Sequence, residues 1–193
     1  MFGLFARFFM RPRSAKQVTK PLPKKKELAA LPPAVVEHYS QTNRRTPNVS
    51  KGRVIKPTHI VLHHTSGSYP GSVAWCCDPV SKVSYHCIIA RNGKRTTLAV
   101  PNQRTWHAGV SEWQGRKDAN SWSIGVAWEG DTNTDPLGAA AIASAVEYLL
   151  PIIEDYHIPL SNIIRHADVA PGRKDDCSKA AHASLLAALN QVV

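Results

Sequence analysis

The stretch Arg165-His166-Ala167-Asp168-Val169-Ala170-Pro171-Gly172-Arg173-Lys174-Asp175-Asp176-Cys177 crowds a histidine, a lysine, carboxylates and a cysteine around a Pro-Gly turn. It offers metal donors, His166 and then Asp176 or Cys177, but no full ligand set. A catalytic zinc takes three protein ligands and keeps one position open. The best source of the missing donor lies far upstream, in Ile60-Val61-Leu62-His63-His64-Thr65. Any fold of this chain must therefore bring two distant segments to one point. The reading is a zinc site of two histidines and one carboxylate, with the fourth position free for water or substrate.

Local patterning supplies the strands that carry both segments. Residues 59–63 form the short apolar run of a buried strand, and Thr65-Ser66-Gly67-Ser68 leaves it as a loop. A histidine that ends a central strand is held stiffly and faces the rim where loops converge. Residues 162–166 read as a short strand that delivers His166 to the same rim. Residues 82–90 read as a further strand, Arg91-Asn92-Gly93-Lys94 as a hairpin turn, and residues 96–100 as its return. Residues 121–128 read as another strand. Apolar residues at helical spacing (Ile142, Val146, Leu149, Leu150, Ile153) predict a helix over 138–156, which Pro151 is expected to kink or split. An amphipathic helix over 180–192 closes the chain. Strands interleaved with helices imply an α/β fold: a single domain over residues 51–193, with a central mixed β-sheet flanked by helices. A basic N-terminal arm and linker occupies residues 1–50.

Charge sets that arm apart. Residues 1–56 hold 13 of the 24 Lys+Arg against 2 of the 14 Asp+Glu, a net +11, whereas the remaining 11 basic and 12 acidic residues leave −1. The arm suits an anionic partner, a membrane or envelope surface, or else is a solvated tail. A nucleic-acid partner is not expected; its signature would be an affinity falling steeply with salt. Lys24-Lys25-Lys26, Pro21, Pro23, Pro32-Pro33 and Pro47 describe a linker, with one short helix near Val35 to Tyr39. The first 13 residues are apolar but too short to span a bilayer, and their charges follow the apolar run. They read as a membrane-surface helix or as disorder, not as a cleavable signal peptide. Adjacent Cys76 and Cys77, with Cys87 in an apolar run, fit synthesis in a reducing compartment. A pairing of Cys76 or Cys77 with Cys177 stays open.

Four segments, in order, carry a resemblance: Val61-Leu62-His63-His64-Thr65, Val83-Ser84-Tyr85-His86, Trp106-His107-Ala108-Gly109-Val110-Ser111, and His166-Ala167-Asp168-Val169-Ala170-Pro171-Gly172-Arg173-Lys174. From about Thr58 to Ala187 the chain resembles the zinc N-acetylmuramoyl-L-alanine amidases of the type-2 superfamily, which includes phage endolysins, bacterial muropeptide amidases and animal peptidoglycan recognition proteins. The resemblance implies zinc held by His63, His166 and the residue two positions after the motif lysine, Asp176. Cys177, a softer donor of the kind some phage relatives use, is the competing third ligand. It also implies that Lys174 stabilises the tetrahedral oxygen formed when water attacks the lactyl–alanine amide. Trp106 is then a cleft wall and His107 a hydrogen-bonding group to substrate. Arg116 and Asn120, with Trp113, are candidates to meet the stem peptide, whose carboxylates suit arginine.

One departure matters. Muropeptide amidases of the superfamily place a glutamate where Ile124-Gly125-Val126-Ala127 has alanine. Phage-type members use a tyrosine ahead of the strand histidine, so Tyr85 is assigned to position the water or stabilise the transition state. Glu129 is a weaker substitute. His64 should point to the opposite face from His63, and Asp168 either orients a ligand histidine or caps a turn. The expectation is a monomeric peptidoglycan hydrolase acting on muropeptides, a phage endolysin made in the host cytoplasm that reaches the wall after release. A peptidoglycan-binding module without catalysis is the alternative, disfavoured because all three ligands are present.

Overall fold

The computed structural model describes residues 39–193. The expectations for the arm (surface helix, lysine-rich linker and the start of the short helix near Val35) fall on residues 1–38, outside the described part. Among the described residues there are ten strands: β1 (Gln41–Asn43), β2 (Val49–Val54), β3 (His59–His64), β4 (Cys87–Ile89), β5 (Arg95–Thr97), β6 (Gln103–Thr105), β7 (Glu112–Trp113), β8 (Arg116–Lys117), β9 (Ser123–Trp128) and β10 (Ile163–Arg165). The same residues form α-helices α1 (Tyr69–Cys77), α2 (Ala139–Tyr156), α3 (His166–Val169) and α4 (Lys179–Leu189). No helix among the described residues is long and apolar enough to cross a membrane.

The sheet runs β1-β5-β4-β9-β3-β10, and only its β4–β5 pair is antiparallel. That pair is the expected Asn-Gly hairpin, where Gly93 takes φ +85°, a conformation that costs glycine little. The fold is thus the α/β domain with a mixed central sheet that the sequence implies. Alternation along the central strands sorts its two faces. Ile60, Leu62, Ile124, Val126 and Trp128 join the core formed with α2 and α4, while Ile88 and Ala127 pack on the other side with Tyr69, Val73 and Cys76 of α1. The second side also carries the site.

Boundaries differ from the sequence reading for identifiable reasons. Strand β1 adds to the edge of the sheet, so the packed unit begins upstream of residue 51. Asn48, 1 % exposed, directs its side-chain amide to the carbonyls of Cys76 (3.1 Å), Asp78 (2.7 Å) and Val83 (3.1 Å). Its own carbonyl accepts from Ser84 Oγ at 2.5 Å, and Ser84 Oγ accepts from the Trp106 backbone N–H at 2.9 Å. Side-chain bonding of this kind competes with a ladder, and the strand expected over 82–90 shrinks to Cys87–Ile89. Pro151 neither splits nor ends α2. It sits on the exposed side of the helix, and buried Ile152 and Ile153 hold the next turn down. Leu149 is fully buried between the sheet and the helices. Leu149→Ala should therefore cost about 2–5 kcal/mol, read as a lowered urea midpoint at unchanged m-value.

Candidate metal centre

Register brings the two histidines together. Strand β10 lies parallel to β3 with Arg165 opposite Leu62, so the next residues, His166 and His63, leave the sheet side by side. His64 points the other way, against Thr132 and Asp131 (Nδ1 to Oγ1 3.1 Å and Oδ1 3.5 Å). Asp176 comes from the loop after α3. The Pro171-Gly172 turn is closed by Arg173 N–H and Lys174 N–H to the Ala170 carbonyl (3.1 and 3.0 Å), and Ala167 N–H donates to the Asp176 carbonyl at 2.6 Å. The carboxylate then lies 3.2 Å from His63 Nδ1 and 3.1 Å from His166 Nδ1. One ligand atom from each of the three buried residues falls within 4.8 Å of the others.

The ring nitrogens facing away from that point decide what it can hold. His166 Nε2 is 3.1 Å from the Ala108 carbonyl. A carbonyl only accepts, so Nε2 carries the proton and Nδ1 turns its lone pair inward. Ser123 Oγ donates to the Ala119 carbonyl at 2.6 Å and so accepts from His107 Nε2 at 3.4 Å. His107 Nδ1 is left bare and accepts from His63 Nε2–H at 3.0 Å, which turns the His63 Nδ1 lone pair inward as well. Lone pairs facing a carboxylate across about 3 Å repel unless a cation or proton lies between them. Two neutral imidazoles and one carboxylate fit zinc in charge and donor type. Burial, and then nearby His166, depress His63 to about 4, keeping it neutral near pH 7. Burial alone would raise Asp176, but the His166 and His63 rings against its oxygens outweigh it and hold the carboxyl below the usual range.

Around the triad opens a cleft of about 460 Å³. Tyr85, Trp106, His107, Asn120 and Lys174 all line it. The Tyr85 ring lies 5.0 Å from that of His63. Trp106 is a half-buried wall, its indole N–H donating to Ser50 Oγ at 3.1 Å. His107, expected to hydrogen-bond substrate, instead has both ring nitrogens taken by His63 and Ser123, and it sits beneath His63 and orients it. Gly125 is what admits it: a Cβ there would lie 2.4 Å from His107 Cγ. Nothing in the sequence reading located this contact, and a glycine inside a strand, marking close approach by another group, was the available signal. Asn120 Oδ1 accepts from the backbone N–H of His107 (3.0 Å) and Ala108 (2.8 Å), fixing the loop.

Other expected residues stand elsewhere. Arg116 does not reach the cleft: its guanidinium stacks 4.9 Å from the Trp122 ring and donates to Thr58 Oγ1 at 3.1 Å. Ala127 pairs with His63 across the sheet and is fully buried, so no carboxylate occupies that place. Glu129 is no substitute for it, because its two oxygens accept from Tyr69 N–H (2.8 Å) and Arg91 N–H (3.0 Å). Asp168 caps α3, accepting from Arg165 N–H at 3.0 Å and pairing with its guanidinium. Cys177 is buried in the main core, where burial pushes its thiol up to about 12 and disfavours the thiolate a metal needs. Cys177 accordingly stays out of the ligand cluster.

His107→Ala should remove the partner that fixes the His63 ring and weaken zinc binding by about 10–100-fold, measured by competition with a chromogenic chelator. The metal-free protein should also be acid-sensitive. Burial holds His63 and His86 down to about 4, against 6.5 in the unfolded chain. Below about 6.5 the unfolded state binds more protons, so stability is fully present above that pH and declines toward pH 4. Urea midpoints at pH 7 and 4.5 check this; equal values would contradict it.

Comparison with known proteins agrees with this geometry. Residues 53–179 match the Amidase_2 family, N-acetylmuramoyl-L-alanine amidase. The 1,6-anhydro-N-acetylmuramyl-L-alanine amidase AmpD of Haemophilus influenzae is 42 % identical over 96 residues, covering 49 % of this chain and 52 % of that one. The N-acetylmuramoyl-L-alanine amidase AmiD of Escherichia coli is 33 % identical over 155 residues, covering 72 % and 54 %. The chain thus spans about half the length of these curated relatives. A crystal structure of an AmpD selenomethionine derivative superposes with TM-score 0.64 at 25 % identity, covering 78 % of this chain and 94 % of that one. AmiD of E. coli, in complex with the substrate anhydro-N-acetylmuramic acid-L-Ala-D-gamma-Glu-L-Lys, gives 0.62 at 28 %, covering 73 % and 60 %. An endolysin from Bacillus subtilis shares the fold at 19 % identity. With its metal-ligating triad at the place where two parallel strands end, this chain belongs to the N-acetylmuramoyl-L-alanine amidase family.

Proposed function

We propose that the protein hydrolyses the amide between the lactyl group of N-acetylmuramic acid and L-alanine in muropeptides. The observation that carries this reading is the convergence of His63, His166 and Asp176 in one cleft with Tyr85 and Lys174. His63, His166 and Asp176 would hold zinc, which would supply Lewis acidity toward the amide carbonyl and toward water. The chain's own groups do the rest. Lys174, exposed on the cleft rim, places an ammonium where negative charge builds on the carbonyl oxygen. Burial raises Tyr85 well above an ordinary phenol, so its hydroxyl stays protonated and acts as a hydrogen-bond donor rather than a base. Trp106 walls the cleft and confines the substrate beside the triad.

The AmiD complex supports anhydro-muropeptides as the substrate class. The endolysin reading, action on the intact wall, keeps one observation in its favour: Ala127 removes the glutamate of muropeptide amidases and Tyr85 stands at the cleft instead. Comparing rates on intact sacculi and on soluble anhydro-muropeptides separates the two.

On zinc-loaded protein, new L-alanine amino termini should appear in purified walls or muropeptides. His63→Ala, His166→Ala and Asp176→Ala should abolish this release and lower the metal content. Lys174→Ala should keep the zinc and lose turnover by about 100-fold or more, the scale for one lost oxyanion donor. Full zinc loading of the unaltered protein with no peptide released would hand the cleft to a binding role.

A further inference from the structure

A muropeptide joins a neutral sugar to a peptide bearing carboxylates, so its two halves must leave the metal cleft in different directions. Among the described residues, grooves on two sides adjoin it. One passes Gly109 and Arg173 and carries charged side chains of both signs, Lys117 and Glu112 beside an Arg104–Asp118 ion pair of 2.7 Å. The other, of about 440 Å³, lies along α1 and shares Thr65, Val83 and Tyr85 with the cleft. Among the described residues no charged side chain lines this second groove. Gly67, Ser68, Gly71 and Ser72 give it bare backbone and hydroxyls, and Trp75 walls it with an indole 55 % exposed.

An isolated exposed apolar residue needs no explanation. The position of Trp75 does, because it faces a hydroxyl-lined groove that opens into the catalytic cleft. An indole offers a flat apolar face with one polar edge, and small hydroxyl side chains supply donors and acceptors. That pairing matches a pyranose ring, apolar on its C–H face and polar around its rim. It suits a carboxylate-bearing peptide poorly, since nothing charged is present to receive it.

We propose that the Trp75 groove is the sugar-side subsite and takes a neutral N-acetylhexosamine ring of the glycan, leaving the charged groove to the peptide. The proposal rests on the amidase reading of the adjoining cleft. The test is hydrolysis of a GlcNAc-MurNAc-tripeptide, with peptide-free GlcNAc-MurNAc and sugar-free tripeptide as competing inhibitors. Trp75→Ala should weaken inhibition by the disaccharide by about 10-fold, raise KM similarly and leave kcat unchanged. Inhibition by the tripeptide should not move, and Trp75→Phe should restore most of the loss. If Trp75→Ala weakens the tripeptide instead, or neither inhibitor, the sugar assignment is overturned. Disaccharide binding followed by the Trp75 indole N–H resonance needs no turnover. A perturbed resonance in a protein that cleaves nothing would overturn the amidase reading and keep the sugar site.

Discussion

Two imidazole lone pairs aimed at one carboxylate are the arrangement on which the rest of this structure depends. In an apolar interior such a cluster is unfavourable by itself, and each member must be kept from turning away. His166 is anchored by the Ala108 carbonyl, His63 by His107, and Asp176 by a backbone bond to Ala167. The sheet makes this tolerable by dividing the labour of its faces. One face buries Leu62, Val126, Trp128 and Leu149 with α2 and α4, and this apolar burial offsets the cost of the polar face. Because β3 and β10 are parallel neighbours, both histidines emerge at the same height without either strand bending.

The alanine at position 127 changes the character of the cleft. A glutamate opposite His63 would add a second negative charge beside Asp176 and serve as a proton acceptor. Without it, the cleft holds Lys82, Arg173 and Lys174 against Asp175 and Asp176, with the Tyr85 ring beside them. On the proposed function, the chemistry left to these side chains would be stabilisation of developing negative charge.

The parts of this architecture legible in the sequence are those set by local rules. His63 and His64 diverge because successive strand residues face opposite sides, and the Asn-Gly turn announces its hairpin. The third ligand, Asp176, was named by the family resemblance, since the residues alone left Asp176 and Cys177 open, and the burial of Cys177 agrees with it. What stayed hidden depends on packing through space. The seat of His107 is made by Gly125 on another strand, and Arg116 is taken up by Trp122 and Thr58. Strand β1 has no hydrophobic run of its own, since it only completes an edge, and Pro151 is accommodated on the exposed side of α2.

Asn48 carries a consequence for the limits of the domain. The amidase match begins at residue 53, yet the amide that ties down Cys76, Asp78 and Val83 lies upstream of it. Tyr85 and Trp106 are therefore held in place by a clasp outside the region that defines the family. A chain trimmed to that region would keep every metal ligand and still release the segment bearing its phenol.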